Sequence, residues 1–194
     1  MKSSIEKVCA DIKVLTQNSQ WLNWLTDVDI VKLTEETCLI GHDSWADGRF
    51  GNYEESQVTL NDYLLIREFS SLNHKERLIQ LNKLGDSAAA KVKRVLPQAL
   101  ERFCHALFLT HVPPFKEACF FGEGISDDNW LPHFGCKAVG EILVELMKSK
   151  IDRDMVVLCG HTHGAGSVKI LPNLHVITGG AEYGKPQIQK ILII

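Results

Sequence analysis

The stretch "VVLCGHTHGAG" at residues 156–166 sets His161 and His163 directly after an apolar run, with glycines on both sides. On extended backbone, residues i and i+2 point the same way, with Cα atoms roughly 6–7 Å apart. His161 and His163 are therefore expected to face one cleft. Where two metal ions sit about 3.5–4 Å apart, each imidazole can take one. Imidazole suits Zn, Fe, Ni and Cu, and tolerates Mn when carboxylates assist. Gly160, Gly164 and Gly166 leave the backbone free to bend tightly there. The plainer alternative is a pair of histidines in a surface loop.

A third imidazole, His111, ends the apolar run "CHALFLTH", which has the character of a buried strand. Downstream, "CKAVGEILVELMKSK" reads as an amphipathic helix and "DMVVLCGH" as a second buried strand. The segment from 105 to 160 is thus a βαβ unit, with parallel strands and a right-handed crossover. The C-terminal ends of such strands lie side by side, where open α/β sheets bind ligands. His111 and His161 are expected to be neighbours in space.

Other residues have chemical reach. His42, Asp43, Asp47 and Arg49 lie in or beside the loop "DSWADGRFGNY". The Arg49 guanidinium, with Asp47 beside it, either clamps a phosphate in bidentate fashion or pairs with Asp47 to shape a glycine loop. His42, at a strand end, is a candidate substrate contact. "SDDNWLPHF" offers Asp127, Asp128, Asn129 and His133, where Ser126 or Asp127 can instead cap a turn. Glu182 and Tyr183 either line the far wall of the cleft or finish a turn. His74, His105 and His175 read as structural or surface residues, and Trp21 and Trp24 as packing.

The remaining elements must hold these groups in place. Ile5, Val8, Cys9, Ile12 and Leu15 repeat at helical spacing, with Ser3 or Ser4 as cap. "WLNWL" at 21–25 reads as a helical turn. "IVKLTEETCLIGH" reads as two strands joined at "TEET". Residues 59–103 read as a long helical region, broken at Gly85 with Asp86 as a new cap, and kinked or ended at Pro97. "VPPFKEACFFGEGISDDNWLPHFG" has no clear period, and loops of that length are usually functional. "NLHVITGG" and "QIQKILII" read as two closing strands.

Composition narrows the class. The 194 residues are 45% hydrophobic and 23% charged, which suits a folded domain rather than a disordered chain. A net charge of −3 gives no basic stripe for nucleic acid. Six cysteines without a C-x-x-C pair point to a reducing compartment and no disulfide framework. No stretch reaches the roughly 18 apolar residues that span a bilayer. "MKSSIEKVCADIKVL" is too polar for a signal peptide, so a cytoplasmic location is expected. No Gly-x-Ser-x-Gly elbow, P-loop or G-x-G-x-x-G is present.

"GHTH" after a buried strand, with "LTHVPPF" upstream, resembles the calcineurin-like metallophosphoesterases. The nearer resemblance is to a bacterial subgroup of phosphohydrolases carrying segments like "GHDSWADGRFGN" and "GGAEYGKPQIQ", and it runs through essentially the whole chain. It implies an α/β fold, the C-terminal part of a two-sheet β sandwich flanked by helices, with two divalent metals (Mn, Fe or Zn) at the strand ends. It implies that His111 and His161 bind the second metal and His163 the first. It implies hydrolysis of a phosphate ester, either a small molecule or a nucleotide, by metal-activated water.

Only the last two of that family's five ligand motifs are present. D-x-H is absent, the one Gly-Asp is Gly85-Asp86, and Gly51-Asn52 is followed by Tyr53. Residues 1–194 are expected to form a single domain that begins just past the third motif and lacks the N-terminal part. The bridging aspartate and the histidine that protonates the leaving group fall in the absent motifs, so no catalytic residue is assigned. One weakly held ion, or none, is expected, since catalytic sites normally offer at least three protein ligands. The lost strands would open a sheet edge to self-association. The alternative is an inactive remnant serving as a binding or interaction module.

Overall fold

In the computed structural model of the chain, residues 4–194 are described. Ser4 caps the first helix, α1 (Ile5–Gln17), its hydroxyl accepting the Lys7 N–H at 3.4 Å. Ser3, the other candidate cap, lies outside the described residues. "WLNWL" is not a helical turn. The chain turns at Trp24, whose carbonyl accepts from Asp27 and Val28, and Trp21 stands in solvent.

The hairpin at "TEET" forms as expected between β1 (Val31–Lys32) and β2 (Thr37–His42). Thr34 makes the reversal, its hydroxyl accepting from the N–H groups of Glu36 and Thr37. A short helix α2 (Asp62–Leu65) follows, then α3 (His74–Arg102). Asn73 and Glu76 close a capping box at the start of α3.

Helix α3 runs unbroken for 29 residues, which corrects the expected break at Gly85. Gly85 is a packing site: a Cβ there would stand 2.5 Å from the Asp47 Cβ. Asp86 is a helix-interior residue that pairs with Arg49. Pro97 removes one helical donor yet does not end the helix, whose buried stripe (Val92, Val95, Leu96, Ala99 and Leu100) holds it against the sheet.

Then come β3 (His105–Thr110), a 3-10 turn at Lys116–Ala118, and a small hairpin of β4 (Phe120–Phe121) and β5 (Gly124–Ile125). The short α4 (Leu131–Phe134) leads to α5 (Lys137–Ser149). Strands β6 (Asp154–Cys159), β7 (Gly166–Leu171) and β8 (Leu174–Thr178) follow. β7 stands where no strand was expected, antiparallel to β8. "QIQKILII" is not a strand; residues 187–194 are irregular and largely exposed.

The fold is mixed α/β. Six strands form one sheet in the order β1-β2-β3-β6-β8-β7. Strands β2, β3, β6 and β8 are mutually parallel, so the predicted βαβ unit is present. The crossovers through α3 and α5 step in the same direction, and a right-handed path puts both helices on one face. There α3 packs on α5, and both cover Ile40, Phe108, Met155, Val157 and Val176. Burying side chains of that size contributes about 1.5–3 kcal/mol each.

The opposite face is also apolar. Leu39, Leu107, Val156, Leu158 and Ile177 are partly buried there, and Leu109 is 45% exposed. Apolar residues on both faces are the mark of a parallel sheet meant to be covered twice. Among the described residues, no helix is long and apolar enough to cross a membrane.

Candidate functional site

The parallel strands end together. His42 pairs with Thr110 and Leu109 with Leu158 across the ladder. Two residues beyond the β3–β6 ladder, Gly160 N–H donates to the His111 carbonyl at 3.0 Å. This brings His111 beside His161, with ring centroids 4.7 Å apart and planes at 63°. The Trp45 ring lies 5.6 Å from each imidazole and stacks on that of His111. Phe134 meets His161 edge-on at 5.6 Å.

His161 and His163 do not sit on extended backbone. Their φ values are 70° and 64°, in the left-handed region that side chains rarely adopt. Thr162 N–H donates to the Gly160 carbonyl at 2.8 Å across His161, which makes the positive-φ γ-turn, the rarer and more strained form. Ser44 (φ 37°) is the remaining non-glycine residue with positive φ among the described residues. It lies at the same end of the sheet, its hydroxyl 2.7 Å from that of Thr110. Strain of this kind costs about 1–3 kcal/mol per residue and gathers at functional sites.

His163 nonetheless lines the same cleft as His111 and His161, an open space of about 760 Å³. Its ring sits 4.8 Å from that of Tyr183. Tyr183 is therefore a wall of the cleft, while Glu182 pairs with Lys185 in solvent.

Hydrogen bonds fix the tautomers. His161 Nε2 lies 3.1 Å from the His133 carbonyl, which can only accept, so Nε2 carries the proton and Nδ1 keeps a free lone pair. His133 itself is buried. Ser56 gives its hydroxyl proton to the Asn129 carbonyl at 2.7 Å and can accept from His133 Nε2 at 2.9 Å. Tyr63 then donates to His133 Nδ1 at 2.6 Å. The Arg77 guanidinium lies 4.3 Å from the Tyr63 ring centroid. At the next strand end, His42 Nδ1 accepts the Ser44 N–H at 2.8 Å, which leaves Nε2–H as a donor.

Burial pushes the pKa of His161 down to about 4, with the neighbouring His111 adding to the effect. Burial also takes His133 to about 4, helped by the Arg77 charge. His42 and His111 are lowered for the same first reason. These four imidazoles are held neutral near pH 7, the form in which a ring nitrogen can ligate or accept.

Asp47 and Arg49 stand apart from the cleft. Asp47 is fully buried and receives the Arg49 N–H at 3.1 Å, Arg49 Nη1 at 3.2 Å and the Ala138 N–H at 2.8 Å. The carboxylate thus serves the first turn of α5, where the helix dipole favours negative charge. Arg49 spends its other nitrogen on Asp86 at 2.7 Å. This is the pairing alternative, with α5 and α3 joined through it. Asp127 caps a turn, accepting from Asn129 and Trp130 N–H groups. Asn129 holds the Gln57 N–H.

Two residues of the cleft were missed in the sequence. Trp45 separates three adjoining hollows, and Asp62 at the start of α2 lines the cleft. The Asp62 charge raises the pKa of His111 and His161 against the larger effect of burial. Nothing in the local pattern marks either residue, because each arrives from a different segment. The Trp45 Nε1 and Thr162 Oγ1 atoms are buried without a hydrogen-bond partner. Each such group costs about 1–3 kcal/mol.

The donor set fits a metal in type but not in number. Neutral imidazoles are proper ligands, yet among the described residues no group of three His, Cys, Asp or Glu converges on one point. A dinuclear centre therefore does not follow from these side chains. Compared with models of known protein families and with curated proteins, the chain gives no match.

Proposed function

We propose that this chain is a metal-dependent phosphoesterase of the calcineurin-like kind, contributing the His111, His161 and His163 side of its metal site. The observation that carries the reading is the His111–His161 pair, 4.7 Å apart at the ends of adjacent parallel strands. His161 supports it further by carrying a free Nδ1 on strained backbone. The reading needs carboxylate or amide donors beyond the three histidines. It also takes the sheet as one half of a two-sheet sandwich, and the partly exposed apolar face (Leu39, Leu107, Leu109 and Leu158) agrees with that.

A bound divalent ion would draw charge from a phosphoryl oxygen and lower the pKa of a bound water. The chain's own residues would orient and exclude. Trp45 and Phe134 hold the two rings and keep water from their flanks. His42 offers an N–H to an anionic oxygen.

Hydrolysis of p-nitrophenyl phosphate by the purified chain, with Mn, Fe or Zn added, tests this directly. Turnover that disappears in His161→Ala is the expected result. A second reading is favoured by the shortage of converging donors among the described residues. On it, the chain is an inactive binding or interaction module, and no metal produces turnover.

A further inference from the structure

A hollow of about 440 Å³ lies between α1 and the body of the protein, against Trp45. Its walls are chiefly apolar: Ile5, Val8 and Ile12 from α1, with Ile66 and Leu84 opposite. Helix α1 buries none of its residues completely, although its apolar stripe faces this hollow. The helix is tied down mainly at its periphery, by Ser4 to Glu68 at 2.7 Å and by Lys13 to Asp27 at 2.6 Å.

One end of the hollow is polar and continuous with the candidate site. His42, Asp43, Ser44 and Trp45 line both this hollow and the next, which reaches His111. Trp45 also borders the histidine cleft. One donor marks the junction. His42 keeps Nε2–H because its Nδ1 is taken by Ser44, whereas the Trp45 indole N–H is buried without a partner and does not open onto the hollow. Asp43 is the opposing charge here, and both its oxygens are turned onto the Trp24 indole N–H at 2.9 Å.

We propose that the hollow under α1 takes the alkyl chain of a phosphate monoester, whose phosphate lies at the His42–Trp45 wall facing the histidines. The His42 donor at one end and aliphatic walls elsewhere match an amphiphile with an anionic head. At the ~30 Å³ that a water occupies in the liquid, the space holds about ten methylene-sized groups with room to spare. The phosphate half of the proposal rests on the phosphoesterase reading, while the alkyl half stands without it.

Calorimetric titration of the whole chain, without metal, with octyl phosphate, butyl phosphate, inorganic phosphate and octanol tests it. Each buried methylene is expected to tighten binding roughly fourfold, so octyl phosphate binds about two-hundredfold more tightly than butyl phosphate. Octanol, lacking the head, binds roughly tenfold more weakly than octyl phosphate. Cys9 lines the hollow and Cys104 does not, and both are half-buried thiols. Octyl phosphate should slow alkylation of Cys9 by N-ethylmaleimide and leave Cys104 unchanged. Val8→Trp, which fills the space from an exposed position, should erase the chain-length dependence. Equal binding of octyl and butyl phosphate, or equal protection of both thiols, overturns the proposal. Protection of Cys9 without turnover under any metal upholds the hollow and counts against the phosphoesterase reading alone.

Discussion

His161 donates from Nε2 to the carbonyl of His133, and that single bond joins the mouth of the cleft to a buried hydrogen-bond chain. The chain passes from His133 to Tyr63 and Ser56, which come from a different part of the sequence. The imidazole orientation at the cleft therefore depends on residues far from it.

This network makes stability depend on pH. His133 and His161 titrate near 4 when folded and near 6.5 when unfolded. The unfolded chain binds these protons first, so the stabilisation is full above pH 6.5 and is lost as pH falls toward 4. Each group contributes on the order of 3 kcal/mol across that window. Urea midpoints measured between pH 8 and 4 should drop most steeply there, and His161→Gln should flatten the slope. A midpoint unchanged between pH 7 and 4.5 would contradict the buried neutral imidazoles.

Gly85 separates two accounts of α3. If it were a helix break, Gly85→Ala would stabilise by about 1 kcal/mol through helix propensity. The close approach of Asp47 reverses the sign. Gly85→Ala is expected to destabilise by about 1–3 kcal/mol, as overpacking does, and thermal unfolding gives the answer.

Asp47→Ala strips three donors of their acceptor, two of them backbone N–H groups. A loss of about 2–4 kcal/mol is expected, moderated because Arg49 keeps Asp86. Phosphate-ester binding, followed by calorimetry, should be unchanged at temperatures where the variant stays folded. Loss of binding at full stability would return Asp47 to the cleft.

His163→Gly should act in opposite directions on stability and on metal affinity. The backbone at φ 64° favours glycine, and the side chain is exposed. A gain of up to about 1 kcal/mol in stability is expected. Binding of Co(II) or Ni(II), read by absorbance, should weaken at the same time. A variant that loses stability and keeps its metal affinity would remove His163 from the site.

Much of the sheet was legible because apolar runs such as "ALFL" and "MVVLC" can be buried on both faces only in parallel strands. Their ends then had to bring His111 and His161 together. The strand β7 was hidden by its mixed pattern, since Ser167 and Lys169 face outward and glycines precede it. Gly85 misled because a glycine in a helix pattern looks alike whether it breaks the helix or admits a neighbour. The extended reading of "HTH" failed for a related reason: the tight turn after Cys159 takes a positive φ at His161 itself, rather than at a flanking glycine. Trp45 and Asp62 owe their place to loops whose paths are set by packing, which local pattern does not encode.

The second apolar face of the sheet has a calorimetric consequence. Surface already wet in the folded state adds nothing to the heat capacity of unfolding, about 0.45 cal/mol/K for each Å² of newly exposed apolar area. With Leu107, Leu109 and Leu158 partly hydrated beforehand, the unfolding ΔCp should fall below the ~12–15 cal/mol/K per residue of a fully covered domain. The stability curve is then flatter, and cold weakens this chain less than its length implies. Anything that covers the face restores the missing increment as a negative ΔCp of association.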